Sequence, residues 1–304
     1  MSGDDSKAAE LPAVATLATT GRSALILRGA DNQRFLHGLV TFEVKGLAPG
    51  DGAYGFVTTA KGKIQADAVL NHRGDDLLLA LPEGLREEIA EHLTKYVIVD
   101  RVEILPYEGT AVVLAGDGSR EWLAQRAEGA DLSAVPRWGG LRLEIDGRQL
   151  WAGREELLGV EAWTLWADDG VLPTELPPTA DPQVEDAWRV AQGLPRFGRD
   201  FDTAHFPQET GLDEAVSYTK GCYLGQEVIA RIHYRGGVQR QIRRLEAPTG
   251  GLVEGQSLEL DGKKMAIVGT VGSGGRAALA MVRRKAWDEG VVLTADSVEA
   301  RVVP

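Results

Sequence analysis

Residues 220–227 read Lys-Gly-Cys-Tyr-Leu-Gly-Gln-Glu, and Cys222 within them is the only cysteine of the 304-residue chain. Two glycines so close together let the backbone pass tightly against a neighbouring strand or a ligand. Lys220 can lower the pKa of the thiol and so favour the reactive thiolate. A lone cysteine is, however, more often a small buried hydrophobe. The stretch alone therefore leaves a functional and a structural thiol open.

The chain is acidic, with a formal net charge of −12. A nucleic-acid binder usually has a basic balance or a large basic face, so we expect no direct nucleic-acid partner. Residues 231–244 are a local exception, because they contain five arginines and no acidic residue. This run is interpreted either as a solvated strand face whose charges balance acids elsewhere or as an anion-binding rim.

One cysteine permits no internal disulfide, which suits a reducing compartment, and we expect the cytoplasm. It also excludes a multi-cysteine metal or cluster site within one chain. The five histidines show no paired ligand spacing, so we expect no resident metal. The first eleven residues are acidic and polar, unlike a secretory signal. No apolar run approaches the roughly 20 residues that span a bilayer, so we expect no membrane partner.

Hydrophobic periodicity predicts an α+β protein with several domains, preceded by a flexible tail at residues 1–20. Residues 21–109 predict the order strand, helix, strand, strand, strand, helix, strand, with the last strand at residues 97–105. This order resembles a split β-α-β unit of the ferredoxin-like type. Residues 110–180 repeat a similar alternation, in which Ser119 is expected to cap a helix.

The rest of the chain is predicted as a return segment followed by a barrel. Residues 181–239 carry the Cys222 stretch and begin with Asp181-Pro182, a favourable helix start because proline needs no donor in the first turn. Residues 240–304 contain short strands with glycine-rich turns, which predict a small barrel. The predicted fold is therefore two ferredoxin-like α+β units plus a C-terminal small β-barrel.

Several runs resemble the signature of the YgfZ family, folate-binding proteins related to the T-protein of glycine cleavage. The Lys-Gly-Cys-Tyr-x-Gly-Gln-Glu motif is the most specific of them. The resemblance covers nearly the whole chain after about residue 20. The matching runs are residues 35–41, 59–64, 196–200, 207–210, 218–231, 269–273 and 281–284.

The resemblance implies a T-protein-like, three-domain ring with tetrahydrofolate bound near its centre. It also implies tetrahydrofolate-dependent support of the assembly or repair of iron–sulfur proteins, including enzymes that modify transfer RNA. Cys222 is then the key functional residue, with Lys220 beside it, and acts as a nucleophile, a transient metal ligand or a redox sensor. The expected partners are a reduced folate and iron–sulfur client or assembly proteins, and the chain is expected to be a monomer.

Two departures separate this chain from the T-protein, an aminomethyltransferase whose sequences carry an Asp-Asp pair that handles a proton. Gln65 and Ala66 stand where that pair belongs. Asp67 is displaced by one residue, which in a strand turns a side chain to the opposite face. The T-protein's Arg-x-Glu-x-Gly becomes residues 189–193, with Ala191 in place of a glutamate that would hold the pterin. Both changes argue against ordinary aminomethyl transfer.

The missing glutamate leaves the carboxylate partner of the pterin open. Glu209 lies in a matching run and is favoured over Glu185 and Asp67. Arg189 is interpreted either as a ligand contact or as a helix salt bridge, and the arginines of residues 231–244 could meet the glutamate tail of the folate. The other candidate folate contacts, aromatic residues for stacking and polar residues of the motif and rim, are Tyr54, Trp188, Tyr223, Gln226, Glu227 and Arg231.

Three functions remain as hypotheses. The leading one is a tetrahydrofolate-binding accessory protein for iron–sulfur enzymes. The second is an enzyme, a tetrahydrofolate-dependent aminomethyltransferase or demethylase acting on an amine, although the missing carboxylates weigh against it. The third is a structural or interaction protein that has lost ligand binding, which calorimetry with reduced folates would distinguish.

Overall fold

The computed structural model describes residues 14–17, 22–127, 129–156 and 160–304. These residues form two compact units. The sheet unit holds the described residues up to 180 together with residues 214–226, and the barrel unit holds residues 181–213 and 227–304. The predicted return segment is thus divided, because the Cys222 stretch up to residue 226 folds with the sheet unit.

The sheet unit contains two five-stranded sheets and three helices among its described residues. Their bounds, in chain order, are β1 (Ala15–Leu17), β2 (Arg22–Arg28), α1 (Asn32–His37), β3 (Gly52–Thr58), β4 (Ile64–His72), β5 (Asp76–Pro82), α2 (Arg86–Thr94), β6 (Glu103–Pro106), β7 (Thr110–Ala115), α3 (Ser119–Ala124), β8 (Gly140–Ile145), β9 (Arg148–Glu155) and β10 (Ala162–Ala167).

The first sheet has the order β3-β4-β5-β2-β6, with every neighbouring pair antiparallel. Its elements follow the predicted order of strands and helices from β2 to β6. Helices α1 and α2 bury Phe35, Leu36, Ile89 and Leu93 against one face of this sheet. Apolar residues at three- and four-residue spacing thus form the helical layer of this core.

The second sheet has the order β1-β7-β10-β9-β8, also antiparallel. Helix α3 packs Trp122 and Leu123 into its core. Strand β1 lies within the segment predicted as a tail; apart from Val14, the rest of that segment lies outside the described residues. Strand β9 was not predicted, because its first residues, from Arg148, are polar.

Two local predictions in the sheet unit are wrong. Strand β6 spans Glu103–Pro106, so only residues 103–105 of the predicted strand at 97–105 are in it, and Ile98 and Val99 are 84% and 80% exposed. Its partner β2 ends at Arg28, so the earlier residues have no ladder to join. Ser119 is the first residue of α3 rather than its cap, and its buried hydroxyl donates to a carbonyl outside the helix instead.

The barrel unit contains a closed six-stranded barrel of order β11-β14-β13-β12-β15-β16. Asp261 and Gly262 join β12 to β13 with φ values of +51° and +71°, as a tight hairpin turn requires. The bounds are α4 (Pro182–Ala191), α5 (Gln226–Arg235, all but its first residue), β11 (Arg240–Glu246), β12 (Ser257–Leu260), β13 (Lys263–Val271), β14 (Ala277–Arg283), β15 (Val292–Ala295) and β16 (Val298–Val303).

Helix α4 begins as predicted. Asp181 is the N-cap, and its carboxylate accepts a hydrogen bond from the backbone N–H of Gln183 at 2.8 Å. Pro182 follows in the first turn. The predicted α+β class with a C-terminal barrel is confirmed. None of the helices in the described ranges is both long and apolar enough to cross a bilayer.

The two sheets of the sheet unit approach each other at Gly52 in β3. A β-carbon at this position would lie 1.8 Å from the carbonyl oxygen of Trp138 and 2.5 Å from that of Leu70. Asn71 also joins the sheets, because its amide donates to the Trp138 carbonyl at 2.7 Å and accepts from the Trp151 indole at 3.1 Å. The close packing of the two sheets at Gly52 and Asn71 fixes the position of the loop that carries Trp138.

Replacement Gly52→Ala is expected to lower the free energy of unfolding by at least about 1–3 kcal/mol, the range for overpacking, because the obstructing atoms are backbone. Urea denaturation measures the change. Gly236→Ala is the control, since no atom lies within 4 Å of the added carbon, and we expect it to change stability by less than about 1 kcal/mol. Equal effects of the two substitutions would contradict the close approach.

Candidate functional site

The Cys222 stretch is anchored by the side chain of Lys220, which is buried. Its ammonium nitrogen donates to the backbone carbonyls of His37 at 2.7 Å, Val40 at 2.8 Å and Phe42 at 2.6 Å. These three bonds use all three donors of an ammonium group. No donor therefore remains for the thiol of Cys222, and the contacts of Lys220 are those of an anchor for this stretch.

Burial and hydrogen bonding act in opposite directions on the charge of Lys220. Burial lowers the pKa of its ammonium to about 7, while the nearby Glu43 raises it. Three carbonyl acceptors also favour the protonated form, because a neutral amine has only two N–H donors. The anchor is thus complete only when Lys220 is charged.

Further backbone contacts fix the end of the stretch. The N–H of Leu224 donates to the carbonyl of Gly38 at 2.9 Å, and the Thr58 hydroxyl donates to the carbonyl of Leu224 at 2.8 Å. Gly225 has a φ of +82°, and a β-carbon there would lie 2.5 Å from the carbonyl oxygen of Thr59. The second glycine of the motif therefore allows a close backbone approach, as the sequence suggested.

Cys222 itself is exposed, as is Gly221 before it. A β-carbon on Gly221 would lie 3.6 Å from Nε2 of His37, a buried side chain. The other ring nitrogen of His37, Nδ1, is 2.9 Å from a carboxylate oxygen of Glu43. Burial, followed by the charge of Lys220, lowers the pKa of His37. A neutral imidazole thus lies beside the exposed thiol loop.

A cleft of about 340 Å³ opens in the same unit. It shares a segment with the anchor, because Phe42 lines the cleft while its carbonyl binds Lys220. Its lining combines aromatic rings with two carboxylates and one guanidinium. The lining residues are Phe42, Glu43, Gly52, Ala53, Tyr54, Arg137, Trp138, Glu214 and Ser217.

A stacked aromatic pair forms one wall of the cleft. The rings of Tyr54 and Trp138 lie 4.9 Å apart at 22°. The Tyr54 hydroxyl donates to Asp67 at 3.2 Å, and Asp67 lies 3.8 Å from the guanidinium of Arg22. Burial, followed by the charge of Asp67, raises the pKa of Tyr54 well above its usual range. Tyr54 is therefore held as a neutral donor with a fixed ring.

Trp138 adopts a φ of +64°. A bulky residue at positive φ is strained, and strain of this kind concentrates at ligand sites. The guanidinium of Arg137 lies 5.3 Å from its ring centroid and also pairs with Glu156 and Glu214. Trp138, Arg137 and both cleft carboxylates were not predicted from the sequence, in which the signal was an aromatic residue directly before the glycine pair at 139–140.

Two of the three carboxylates considered for the pterin are engaged in the barrel unit. Glu209, the favoured one, accepts from the backbone N–H of Phe206 and from Arg240, both at 2.8 Å. Glu185 is buried and pairs with Arg196 at 2.9 Å. Glu209 and Glu185 thus already have cationic partners, whereas Asp67, which accepts from Tyr54, lies in the unit that holds the cleft.

Arg189 is a packing residue of the barrel unit. Its guanidinium donates to Asp186, to Asp200 at 2.7 Å, to the carbonyl of Leu194 at 2.8 Å and to Thr270 at 3.3 Å. These bonds engage all five N–H groups, so none is left for a folate. The salt-bridge interpretation of Arg189 replaces the ligand contact.

The remaining candidate contacts are distributed between the units. Trp188 is half-buried on α4 of the barrel unit. Tyr223 is buried in the sheet unit, with the Lys220 ammonium 5.1 Å from its ring centroid. Gln226 is the first residue of α5, and the exposed Glu227 pairs with Arg231 at 2.7 Å along that helix. None of these five is among the residues that line the cleft.

The arginine run at residues 231–244 is half helix and half strand, not one strand face. Arg231 pairs with Glu227, Arg240 with Glu209, and Arg244 with Glu246. The interpretation in which acidic residues balance these charges therefore holds for three of the five arginines. Arg235 and Arg243 form no ion pair in the described part of the chain.

The departure from the T-protein is visible in β4. Gln65 is skipped by the ladder, because Val57 pairs with Ala66 and Thr58 with Ile64. Ala66 is buried in the helical core, whereas Asp67, opposite Phe56, shares the face of Tyr54. The displaced carboxylate thus faces away from the helical core, on the side where Tyr54 and Trp138 stack.

Known proteins support the resemblance, although no family model matches the chain. The chain is 26% identical over 271 residues to the tRNA-modifying protein YgfZ of Aliivibrio fischeri, covering 87% of this chain and 79% of that protein. It is 26% identical over 298 residues to an aminomethyltransferase of Rubrobacter xylanophilus, covering 91% and 78%. The resemblance to the YgfZ proteins is confirmed.

A solved structure confirms the fold. The glycine cleavage system aminomethyltransferase T of Bartonella henselae matches with a TM-score of 0.81, covering 96% of this chain and 85% of that one. The sequence identity is 16%, so this likeness concerns the fold alone. The T-protein-like fold class predicted from the motifs is therefore correct.

Replacement Lys220→Met is expected to lower the free energy of unfolding by about 3 kcal/mol or more, because three carbonyls lose their donor and each unsatisfied group costs about 1–3 kcal/mol. Hydrogen exchange at residues 217–225 is expected to become faster in the same variant. Lys45→Met, an exposed neighbour, is the control and should change stability by less than about 0.5 kcal/mol. An unchanged free energy of unfolding and unchanged hydrogen exchange in Lys220→Met would show that the three hydrogen bonds of Lys220 do not stabilise this stretch.

Proposed function

We propose, on the premise that this chain is similar to the YgfZ proteins over most of its length, that it binds a reduced folate and supports the modification of transfer RNA. The observation that carries the folate part is the stacked pair of Tyr54 and Trp138, which lines a cleft in the unit that exposes Cys222. The part of the proposal that concerns transfer RNA rests on the similarity to proteins named as tRNA-modifying YgfZ proteins. The proposal includes support of those tRNA-modifying enzymes that contain iron–sulfur clusters.

The chemistry of the cleft suits a pterin. A pterin is flat and offers a π face, which an offset aromatic ring can receive. Its amino group and ring N–H need acceptors, and Glu43 and Glu214 line the cleft. Pockets of a few hundred Å³ with aromatic walls and a few polar groups are typical small-molecule sites. Trp138 would hold the ring, and the carboxylates would orient its edge.

The exposed thiol supplies the reactive group in this proposal. Anchoring by Lys220 holds the loop so that Cys222 faces solvent while Lys220 and Tyr223 are buried. One cysteine cannot hold an iron–sulfur cluster by itself, because clusters use several thiolate ligands. Contact with a cluster would therefore be shared with a client protein. An exposed free thiol also suits the reducing cytoplasm.

Aminomethyl transfer is the second candidate, favoured by the aminomethyltransferase among the relatives. Gln65 and Ala66 at the positions of the T-protein pair weigh against it, because neither side chain accepts a proton. Formation of methylene-tetrahydrofolate from an amine donor would support this second function.

Replacement Trp138→Gly is expected to weaken tetrahydrofolate binding at least about 5-fold, since aromatic stacking on a flat heterocycle contributes about 1–3 kcal/mol. Stability should change little, because relief of the positive φ, about 1–2 kcal/mol, offsets the lost stack on Tyr54. Anaerobic calorimetry measures the affinity, and urea denaturation measures the stability.

Trp138→Phe is the matched variant, because it keeps a ring at the same backbone conformation, and we expect affinity within a few-fold of the parent. Native affinity in Trp138→Gly would exclude this cleft as the site. Absence of binding by the parent chain at high micromolar folate would refute folate binding altogether.

Replacement Cys222→Ala is expected to abolish rescue of a deletion strain, measured as the activity of a cluster-dependent tRNA-modifying enzyme. The reason is the loss of the only thiol of the chain. Thr219→Ala, in the same loop, is the control and should rescue fully at equal protein level. Full rescue by Cys222→Ala would remove the thiol from the mechanism.

A further inference from the structure

His37, the last residue of α1, directs a ring nitrogen without a partner at the Cys222 stretch. Its side chain is only 6% exposed. Nδ1 has three polar neighbours, whereas Nε2 makes no hydrogen bond in the described part of the chain. Nε2 lies 3.6 Å from the position that a β-carbon of Gly221 would take. A polar nitrogen of a buried ring that makes no hydrogen bond calls for an explanation.

Gly221 leaves this nitrogen uncovered. Its φ lies outside the left-handed region, and 3.6 Å is an ordinary van der Waals distance, so the backbone does not require a glycine here. Gly225, by contrast, needs both its positive φ and its close approach to Thr59. Consecutive Cα atoms are about 3.8 Å apart. The side chain of Cys222 therefore starts one residue from Nε2, with no side chain at position 221 between them.

Glu43 determines which nitrogen of His37 is open. A carboxylate oxygen of Glu43 lies 2.9 Å from Nδ1, whereas the backbone N–H groups of Val44 and Lys45 approach the same nitrogen at 3.4 Å. The carboxylate is the stronger partner, because it is charged and because 3.4 Å exceeds the usual hydrogen-bond range. Nδ1 therefore donates its proton to Glu43, and Nε2 is left as the acceptor.

The charged groups around the ring leave it neutral. They are Glu43 and Lys45 on the segment after α1 and Lys220 on the Cys222 stretch. Burial, followed by the charge of Lys220, lowers the pKa of His37, while Glu43 raises it and Lys45 lowers it. Arg34, on α1 itself, is engaged by two aspartates. A neutral imidazole with a bare nitrogen is able to take up a proton.

We infer that His37 is the proton acceptor of the Cys222 thiol and that Glu43 is the carboxylate that orients it. The proton moves from Sγ to Nε2, so a thiolate and an imidazolium form together and no further reactant is needed. A nucleophile, a base and a group that orients the base form the general arrangement of an activated thiol. The thiolate is the reactive form of cysteine.

The same carboxylate connects the thiol with the cleft, because Glu43 also lines the cleft. A ligand N–H that binds Glu43 draws the carboxylate away from Nδ1. Nδ1 then accepts from the backbone N–H groups of Val44 and Lys45, and the proton of the ring moves to Nε2. Occupancy of the cleft thus lowers the reactivity of Cys222, and the coupling is reciprocal. The choice of tetrahydrofolate as this ligand rests on the proposed function.

The test measures the rate at which iodoacetamide alkylates Cys222, a reaction in which the thiolate displaces iodide. An ordinary thiol is about 1% ionised at pH 6.5 and about 90% ionised at pH 9.5. His37→Leu is therefore expected to react about 10-fold more slowly than the parent chain at pH 6.5 and within about 2-fold of it at pH 9.5. Mass spectrometry follows the label, which has a single site because the chain has one cysteine.

His72→Leu is the matched control, because it removes another buried histidine of the sheet unit, at the end of β4. We expect parent-like alkylation rates at both pH values. A purely structural role of His37 would change the rates at the two pH values by the same factor.

Glu43→Ala tests the orienting role without altering the buried ring, since the Glu43 side chain is 51% exposed. It is expected to slow alkylation at pH 6.5 about 3-fold or more, because Nδ1 loses its acceptor. The sign is decisive, because removal of a negative charge would speed alkylation if Glu43 acted only through its field. Glu83→Ala, an exposed carboxylate of the same unit, is the control and should leave the rate unchanged.

The link with the cleft has two readouts. Saturating tetrahydrofolate is expected to slow alkylation of the parent chain at pH 6.5 about 3-fold, and His37→Leu is expected to bind tetrahydrofolate about 3-fold more tightly in anaerobic calorimetry, since coupling is reciprocal. Slower alkylation with unchanged folate affinity of His37→Leu would mean that the ligand merely covers the thiol, and would overturn the link.

Two results would overturn the inference as a whole. They are parent-like alkylation of His37→Leu at pH 6.5 and faster alkylation of Glu43→Ala. Absence of folate binding by the parent chain refutes the proposed function and leaves the alkylation results without folate unaffected. Native folate binding together with either of the two overturning results refutes this inference alone.

Discussion

The organisation of the candidate site depends on one buried ammonium group. Lys220 donates to the carbonyls of His37, the last residue of α1, and of Val40 and Phe42 after it, and these bonds join two stretches about 180 residues apart in the chain. Because the lysine points inward, the next residues point outward, and Cys222 is exposed. The same segment continues into the cleft through Phe42. A single charge therefore holds both the thiol and one wall of the cleft.

The opposite wall depends on a backbone contact rather than a charge. Trp138 occupies a conformation that a bulky residue avoids, and it persists because Asn71 binds its carbonyl and Gly52 leaves room for it. Strain of this kind survives only where the surroundings hold it, which gives the aromatic wall a defined position. Rigid placement of a ring lowers the entropy that a ligand must lose on binding.

Local rules of the chain predicted much of the fold but less of the site. The cap at Asp181, the hairpin at Asp261-Gly262 and the barrel strands follow from residues adjacent in sequence, and all are present. Glu209 was preferred because it lies in a matching run, yet its carboxylate is engaged by Arg240. Arg189 stands at the arginine of the T-protein's Arg-x-Glu-x-Gly, but its five donors are used by its own unit. A local sequence pattern carries no information about hydrogen-bond partners that lie far away along the chain.

The amino-acid sequence by itself determined the α+β class, the barrel and the family resemblance, because these depend on periodicity, turn chemistry and a specific motif. Only the tertiary structure decided that Lys220 is an anchor and that Trp138 forms the cleft wall. The physical reason is that hydrogen-bond saturation and backbone strain depend on groups brought together by folding.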